Sequence, residues 1–176
     1  MSGDYTTVTL EDNATFSGNY TFSKSGTYST ATTATSSGGA IYMRGDHAML
    51  TLGDNATFSG NYAYSDSSSN YSTNYSNSSG GAIHMEGDHA TLTLGNNVTF
   101  SGNYASSDSY SISTSSGGAI YMQGVNSFLT ICNGAIFTNN YSSTYGGAIY
   151  LQGITTDNSS RFLAFTHDVL LSLIHI

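Results

Sequence analysis

The sequence predicts an all-β protein: a right-handed, single-stranded parallel β-helix (a β-solenoid) of about four to five coils, incomplete at both ends. Three observations carry that expectation. One tetrapeptide recurs four times, a second motif alternates with it at constant spacing, and the stretch between them alternates apolar and polar residues with period two.

The tetrapeptide is Gly-Gly-Ala-Ile, and its copies begin at Gly38, Gly80, Gly117 and Gly146. Its second glycines are Gly39, Gly81, Gly118 and Gly147, and its isoleucines are Ile41, Ile83, Ile120 and Ile149. The partner motif, Phe-x-x-Asn, joins Phe16 to Asn19, Phe58 to Asn61, Phe100 to Asn103 and Phe137 to Asn140. From the first glycine to the next motif phenylalanine is 20 residues in all three complete cases: 38 to 58, 80 to 100 and 117 to 137. From the asparagine to the next Gly-Gly the count varies, with 18, 18, 13 and 5 residues between. One arc is fixed and the other is free, as in a solenoid whose coils must match except where a segment leaves the stack.

The fixed arc resolves into three strands. In the first, Ile41/Met43 share a face, and the equivalent pairs are Ile83/Met85, Ile120/Met122 and Ile149/Leu151. The second supplies Leu50/Leu52, Leu92/Leu94 and Leu129/Ile131, after Val8/Leu10 in a partial first coil. The third supplies Ala56/Phe58, Val98/Phe100 and Ala135/Phe137, after Ala14/Phe16. Thr51, Thr57, Thr93 and Thr99 take the alternate positions, the signature of half-buried strands. No segment keeps apolar residues at helical spacing, so helix is unsupported.

Corners follow from residue type. Gly45, Gly87, Gly124 and Gly153 close the first strand. Asn13, Asn55 and Asn97 share their column with Gly134, which predicts a left-handed backbone there. Asn19, Asn61, Asn103 and Asn140 are expected to point inward as a ladder of amides. Tyr42, His84, Tyr121 and Tyr150 are expected to stack outside, with Arg44 beside Glu86. A single coil cannot bury its apolar face, so several must stack.

Composition narrows the function. Only 8% of residues are charged and the formal net charge is −8. Lys24, Arg44 and Arg161 are the only cations, which leaves no basic surface for nucleic acid. Cys132 stands alone, so no internal disulfide forms. No run of 18 or more apolar residues occurs. No cofactor, catalytic or metal-ligating set emerges. Asp46-His47 and Asp88-His89 occupy equivalent turns, with Val125-Asn126 there in the next coil, so they read as a duplicated turn. A β-helical polysaccharide lyase or hydrolase is the rival class, but it needs paired carboxylates, and acidic residues are sparse. Neither a calcium-loading nonapeptide repeat nor a continuous Thr-x-Thr ice-binding face is present.

The alternating Gly-Gly-Ala-Ile and Phe-x-x-Asn motifs resemble the repeats of the chlamydial polymorphic membrane proteins and related autotransporter adhesins. The resemblance covers roughly residues 3 to 153. It implies a non-catalytic β-helical passenger at the cell surface or secreted, an adhesive role, and an outer-membrane anchor in the full-length protein. The variable segments 20–37, 62–79, 104–116 and 141–145 are expected to emerge as loops on one edge. They are rich in Ser and in Tyr (Tyr28, Tyr64, Tyr71, Tyr75 and Tyr110), a composition suited to binding a host-cell or glycan ligand. The opposing expectation is that they are plain spacers.

Both ends read as cut. An offset of 42 lays Met1 on Met43 and Gly3 on Gly45, so the first coil begins mid-strand, and exposed coil ends are expected to associate end to end. An offset of 34 lays Leu163 on Leu129 and Leu171 on the motif Phe137. The passenger segment is therefore placed at residues 1–170. The final Leu171–Ile176 reads as the translation of a transposase-derived sequencing adapter. Resequencing the locus should find genomic DNA diverging from those six codons; their presence in the genome refutes the adapter reading.

Overall fold

The computed structural model describes residues 1–25, 32–67, 74–109, 111–153, 163–165 and 170–171. The chain climbs through five coils. The first runs through β1 (Thr7–Leu10), β2 (Thr15–Ser17), β3 (Tyr20–Ser25) and β4 (Thr32–Ser37). The second has β5 (Ile41–Arg44), β6 (Met49–Leu52), β7 (Thr57–Ser59), β8 (Tyr62–Ser67) and β9 (Asn74–Ser79). The third repeats it with β10 (Ile83–Glu86), β11 (Thr91–Leu94), β12 (Thr99–Ser101), β13 (Tyr104–Ser109) and β14 (Ile112–Ser116). The fourth has β15 (Ile120–Gln123), β16 (Phe128–Ile131), β17 (Ile136–Thr138) and the short β18 (Tyr141–Ser142). The fifth comprises β19 (Ile149–Gln152), β20 (Leu163–Phe165) and β21 (Leu170–Leu171).

Equivalent strands of successive coils pair in parallel and build five sheets. Three of them, β5-β10-β15-β19, β1-β6-β11-β16-β20 and β2-β7-β12-β17-β21, enclose the core. The expected register holds throughout: Ile41, Ile83, Ile120 and Ile149 are successive partners. The offsets of 42 and 34 also hold, with Val8 opposite Leu50 and Leu129 opposite Leu163. Phe16, Phe58, Phe100 and Phe137 form one ring stack with centroids 4.8, 4.8 and 4.9 Å apart, which is the rise between coils.

The tetrapeptide's composition follows from the stacking. Its first glycines have φ near +60° (Gly38 59°, Gly80 62°, Gly117 64°, Gly146 58°), where a side chain is strained. Its second glycines have no space: a Cβ on Gly39 would fall on the carbonyl oxygen of Gly81, and one on Gly81 on that of Gly118. The alanines that follow, Ala82 and Ala119, are fully buried. At the other corner, Asn13, Asn55 and Asn97 take φ of 62°, 59° and 56° and Gly134 takes 69°, as their exchange implied.

The asparagine column closes the hydrogen-bond account of the third corner. Asn103 Oδ1 accepts from the backbone N–H of Asn61 (3.1 Å) and from Asn61 Nδ2 (2.9 Å). Asn103 Nδ2 donates to Asn140 Oδ1 (2.9 Å) and back to the Phe58 carbonyl (3.0 Å). Asn61 and Asn103 thus each knit three coils, and Asn61, Asn103 and Asn140 each join the Asn of one motif to the Phe of the preceding coil's copy. Asn61, Asn103 and Asn140 are completely buried.

The variable segments differ from expectation. They are not loops over most of their length: β3, β8, β13 and β18 form a fourth sheet, and β4, β9 and β14 a fifth. These two sheets pack face to face as an arm projecting from the coil. Its interior is narrow and polar. Ser65, Ser67, Asn74, Ser76 and Ser78 are fully buried, beside Ala63. Ser65 and Ser78 hydroxyls meet at 2.9 Å, Ser76 donates to the Ser65 carbonyl (2.7 Å), and Ser78 donates to the Ser106 carbonyl (2.6 Å). Small hydroxyl side chains let the two sheets approach closely, and in the second coil these hydroxyls find partners, whereas Thr21 Oγ1 and Ser107 Oγ on the neighbouring rungs are buried without one.

Asn103→Ala leaves the Asn61 donors, the Asn140 acceptor and the Phe58 carbonyl without their partner. We expect it to destabilise the chain by at least about 3 kcal/mol in urea unfolding. A substitution on an exposed strand position with ordinary backbone, such as Thr9→Ser, should cost well under about 1 kcal/mol.

Candidate functional site

The outer face of the β5-β10-β15-β19 sheet and the outer face of the β4-β9-β14 sheet meet at an angle where the arm leaves the coil. Between them runs a groove of about 580 Å³ along the helix axis. One wall is the column Tyr42, His84, Tyr121 and Tyr150, flanked by Arg44, Glu86, Gln123 and Gln152. The other wall is built by Thr35, Asn77 and Thr114 and by Ser37, Ser79 and Ser116, which lie in register. Tyr145 extends the last column, bridged to Ser116, and its ring stacks on Tyr150 at 5.4 Å.

The expected outer aromatic stack exists, but its environment was not foreseen. Centroids lie 5.0 Å apart for Tyr42–His84, 4.7 Å for His84–Tyr121 and 5.7 Å for Tyr121–Tyr150. The arm overhangs the middle of this column, so His84 and Tyr121 are each only 5% exposed. The Tyr121 hydroxyl lies 2.7 Å from both Gln123 Oε1 and Gln152 Oε1 and donates its one proton to one of them at a time. Burial, then the neighbouring Tyr150 and Glu86, pushes its phenol up to about 12. The Tyr42 hydroxyl donates to Glu86 Oε2 at 2.8 Å, and its pKa is raised by burial and by that carboxylate. Glu86 Oε1 lies 3.8 Å from Arg44 Nε, the pairing expected from the sequence.

His84 is the exception. Neither Nδ1 nor Nε2 has a hydrogen-bond partner. Burial pushes its pKa down to about 3, so the ring is neutral at physiological pH, with one donor and one acceptor. The sequence placed His84 in the column; what it lacked was any sign that the arm would cover it.

Of the Tyr residues singled out for binding, the two among the described residues, Tyr64 and Tyr75, lie in different sheets of the arm. Tyr64, in β8, packs 5.7 Å from Phe22 and 5.7 Å from Tyr62 on the far face of the arm. Tyr75, in β9, is 41% exposed on the groove side, sharing a strand face with Asn77 and Ser79. Tyr28, Tyr71 and Tyr110 lie outside the described residues.

The Asp-His pairs are turns, as expected. His47 and His89 have φ of 58° and 57° and stack at 4.8 Å. Asp46 Oδ1 accepts the backbone N–H of Asp88 (2.9 Å), and Asp88 Oδ1 that of Val125 (2.8 Å), so each carboxylate caps the next coil. At the neighbouring corner Asp54 Oδ1 accepts from the Asn96 backbone N–H (2.7 Å) and from Asn96 Nδ2 (3.2 Å), which lowers the Asp54 pKa. Among the described residues no three His, Cys, Asp or Glu gather into a metal-holding set.

These features define a parallel β-helix with a lateral arm and an axial groove. Two stretches of its coils, residues 97–123 and 134–152, match the Chlamydia polymorphic membrane protein repeat. No curated protein and no solved structure matches the chain.

The linkage of His84 has a definite sign. Its folded pKa lies below the unfolded value near 6.5, so stability is complete above about pH 6.5 and falls as pH drops toward about 3. His84→Phe preserves an aromatic ring in the stack and removes both unpartnered nitrogens. Thermal unfolding should show the variant at least as stable at pH 7, with an advantage that widens steadily from pH 6 to pH 4; a constant difference contradicts a buried neutral His84.

Proposed function

We propose that this chain is part of a surface-displayed, autotransporter-type passenger: a non-catalytic rod that binds host-cell or surface ligands through its arm and groove. The observation that carries the proposal is the match of its coils to the polymorphic membrane protein repeat, on a stack whose outward columns are polar and aromatic side chains. A parallel β-helix is stiff because every coil is hydrogen-bonded to its neighbours, and it holds lateral features at fixed spacing along a rod.

The electrostatics of the groove argue against the enzyme alternative. Glu86 is the one carboxylate lining it, and it already holds the Tyr42 hydroxyl and faces Arg44. Proton abstraction by Tyr needs a lowered phenol pKa, and those of Tyr42 and Tyr121 are raised. An imidazole with a pKa of about 3 is too weak a base at neutral pH.

The fourth coil supplies the experiment. It closes the corner with only residues 141–145, where the first three coils build the arm. Replacing 20–37, 62–79 and 104–116 by that five-residue connection removes the arm while sparing the asparagine ladder. Displayed on a bacterial surface, this variant should lose most attachment to host cells, and Tyr64→Ser with Tyr75→Ser should lose part of it. Attachment at full strength in both variants overturns binding in favour of a spacer.

A further inference from the structure

We propose that the groove over the Tyr42–His84–Tyr121–Tyr150 column is a binding site for a neutral oligosaccharide lying along the helix axis. This deepens, and rests on, the reading of the chain as a binding scaffold. The first support is His84. An imidazole only 5% exposed that leaves both nitrogens unpartnered forgoes two hydrogen bonds, each worth about 1–3 kcal/mol when a buried group is left bare. A sugar hydroxyl donates and accepts through one oxygen, which matches the donor and acceptor of a neutral ring. Both His84 nitrogens are shielded from solvent, and Tyr42 is the less buried of the two aromatic neighbours, so a ligand reaching them has to displace the Tyr42 ring.

The second support is the balance of charge. The groove's two ionic groups, Arg44 and Glu86, face each other at 3.8 Å, and the remaining lining is hydroxyl, amide and aromatic. Amides such as Asn77, Gln123 and Gln152 offer donors and acceptors without net charge. A phosphorylated, sulfated or carboxylated polymer finds no surplus cation there, and the net charge of −8 repels it from a distance.

The third is repetition. Side chains of similar chemistry recur on each rung, about 4.8 Å apart, along four rungs from Tyr42 to Tyr150. A ligand of repeated units meets similar groups at each step, and tyrosine rings provide apolar surface for sugar C–H groups. An extended peptide gains its affinity from an open strand edge. The groove offers none along its length, because the strands of each wall pair with their equivalents in the coils above and below.

The test uses the full chain with isotope-labelled histidine, titrated with maltotriose, cellotriose and triacetylchitotriose. A heparin hexasaccharide and an extended Ser/Ala peptide serve as charged and peptidic competitors. We expect at least one neutral trisaccharide to shift the His84 ring resonances. Measured by titration calorimetry, which needs no histidine signal, His84→Phe, which keeps the ring, and Asn77→Leu, on the opposite wall, should each weaken that binding by about tenfold, the worth of one or two hydrogen bonds. Thr93→Ser, on another face, should bind as the parent does. The inference is overturned if no trisaccharide moves His84, if both groove variants bind as the parent does, or if the heparin fragment or the peptide occupies the groove in preference. Should that happen while arm-dependent cell attachment persists, the oligosaccharide site falls and the binding scaffold stands. If attachment is also independent of the arm, both fall.

Discussion

The structure depends on vertical registry: every residue of one coil must sit one strand spacing above its equivalent in the last. The buried asparagine amides impose this most strictly, because Asn61 and Asn103 each accept twice from one neighbouring coil and donate to both. A coil shifted by one residue would break these four hydrogen bonds at each amide in the interior, where an unmet polar group is most costly. The second glycines of the tetrapeptide impose the same registry sterically, since their α-carbons pass too close to the next coil's backbone to carry a side chain. Leucine, isoleucine and phenylalanine columns then supply the burial. Within those columns similar apolar residues exchange, as where Ile131 follows Leu52 and Leu94.

Much of this was legible because the constraint repeats. The ring stack, the amide ladder, the left-handed corner at Asn13, Asn55, Asn97 and Gly134, and the Arg44–Glu86 contact all follow from aligning one coil on another. Alignment converts a sequence column into a spatial one. It works for any residue type, including those with no intrinsic strand preference.

The arm was not legible for a related reason. Strand recognition leans on alternation between apolar and polar residues, and in Tyr62–Ser67 and Asn74–Ser79 the buried positions are mostly serine and asparagine. Both faces are polar, so the period vanishes. A signal was nevertheless present: Tyr20, Tyr62, Tyr104 and Tyr141 fall in one column, as do Ser65 and Ser107. Such column identity in a segment of variable length marks pairing. The burial of His84 was out of reach for the same reason, since it depends on where that unrecognised arm lies.

The serine interior of the arm has a thermal consequence. The coil's core is held by burial of apolar surface, whose driving force weakens on cooling and whose exposure raises heat capacity. The arm is held by hydroxyl and amide contacts, and exposure of polar surface lowers heat capacity instead. In the coils that carry an arm, the trunk's stability is therefore expected to curve more strongly with temperature than the arm's. In the cold the arm keeps its cohesion while the trunk loosens, and a molecule built this way has its most temperature-indifferent part on the side that faces outward.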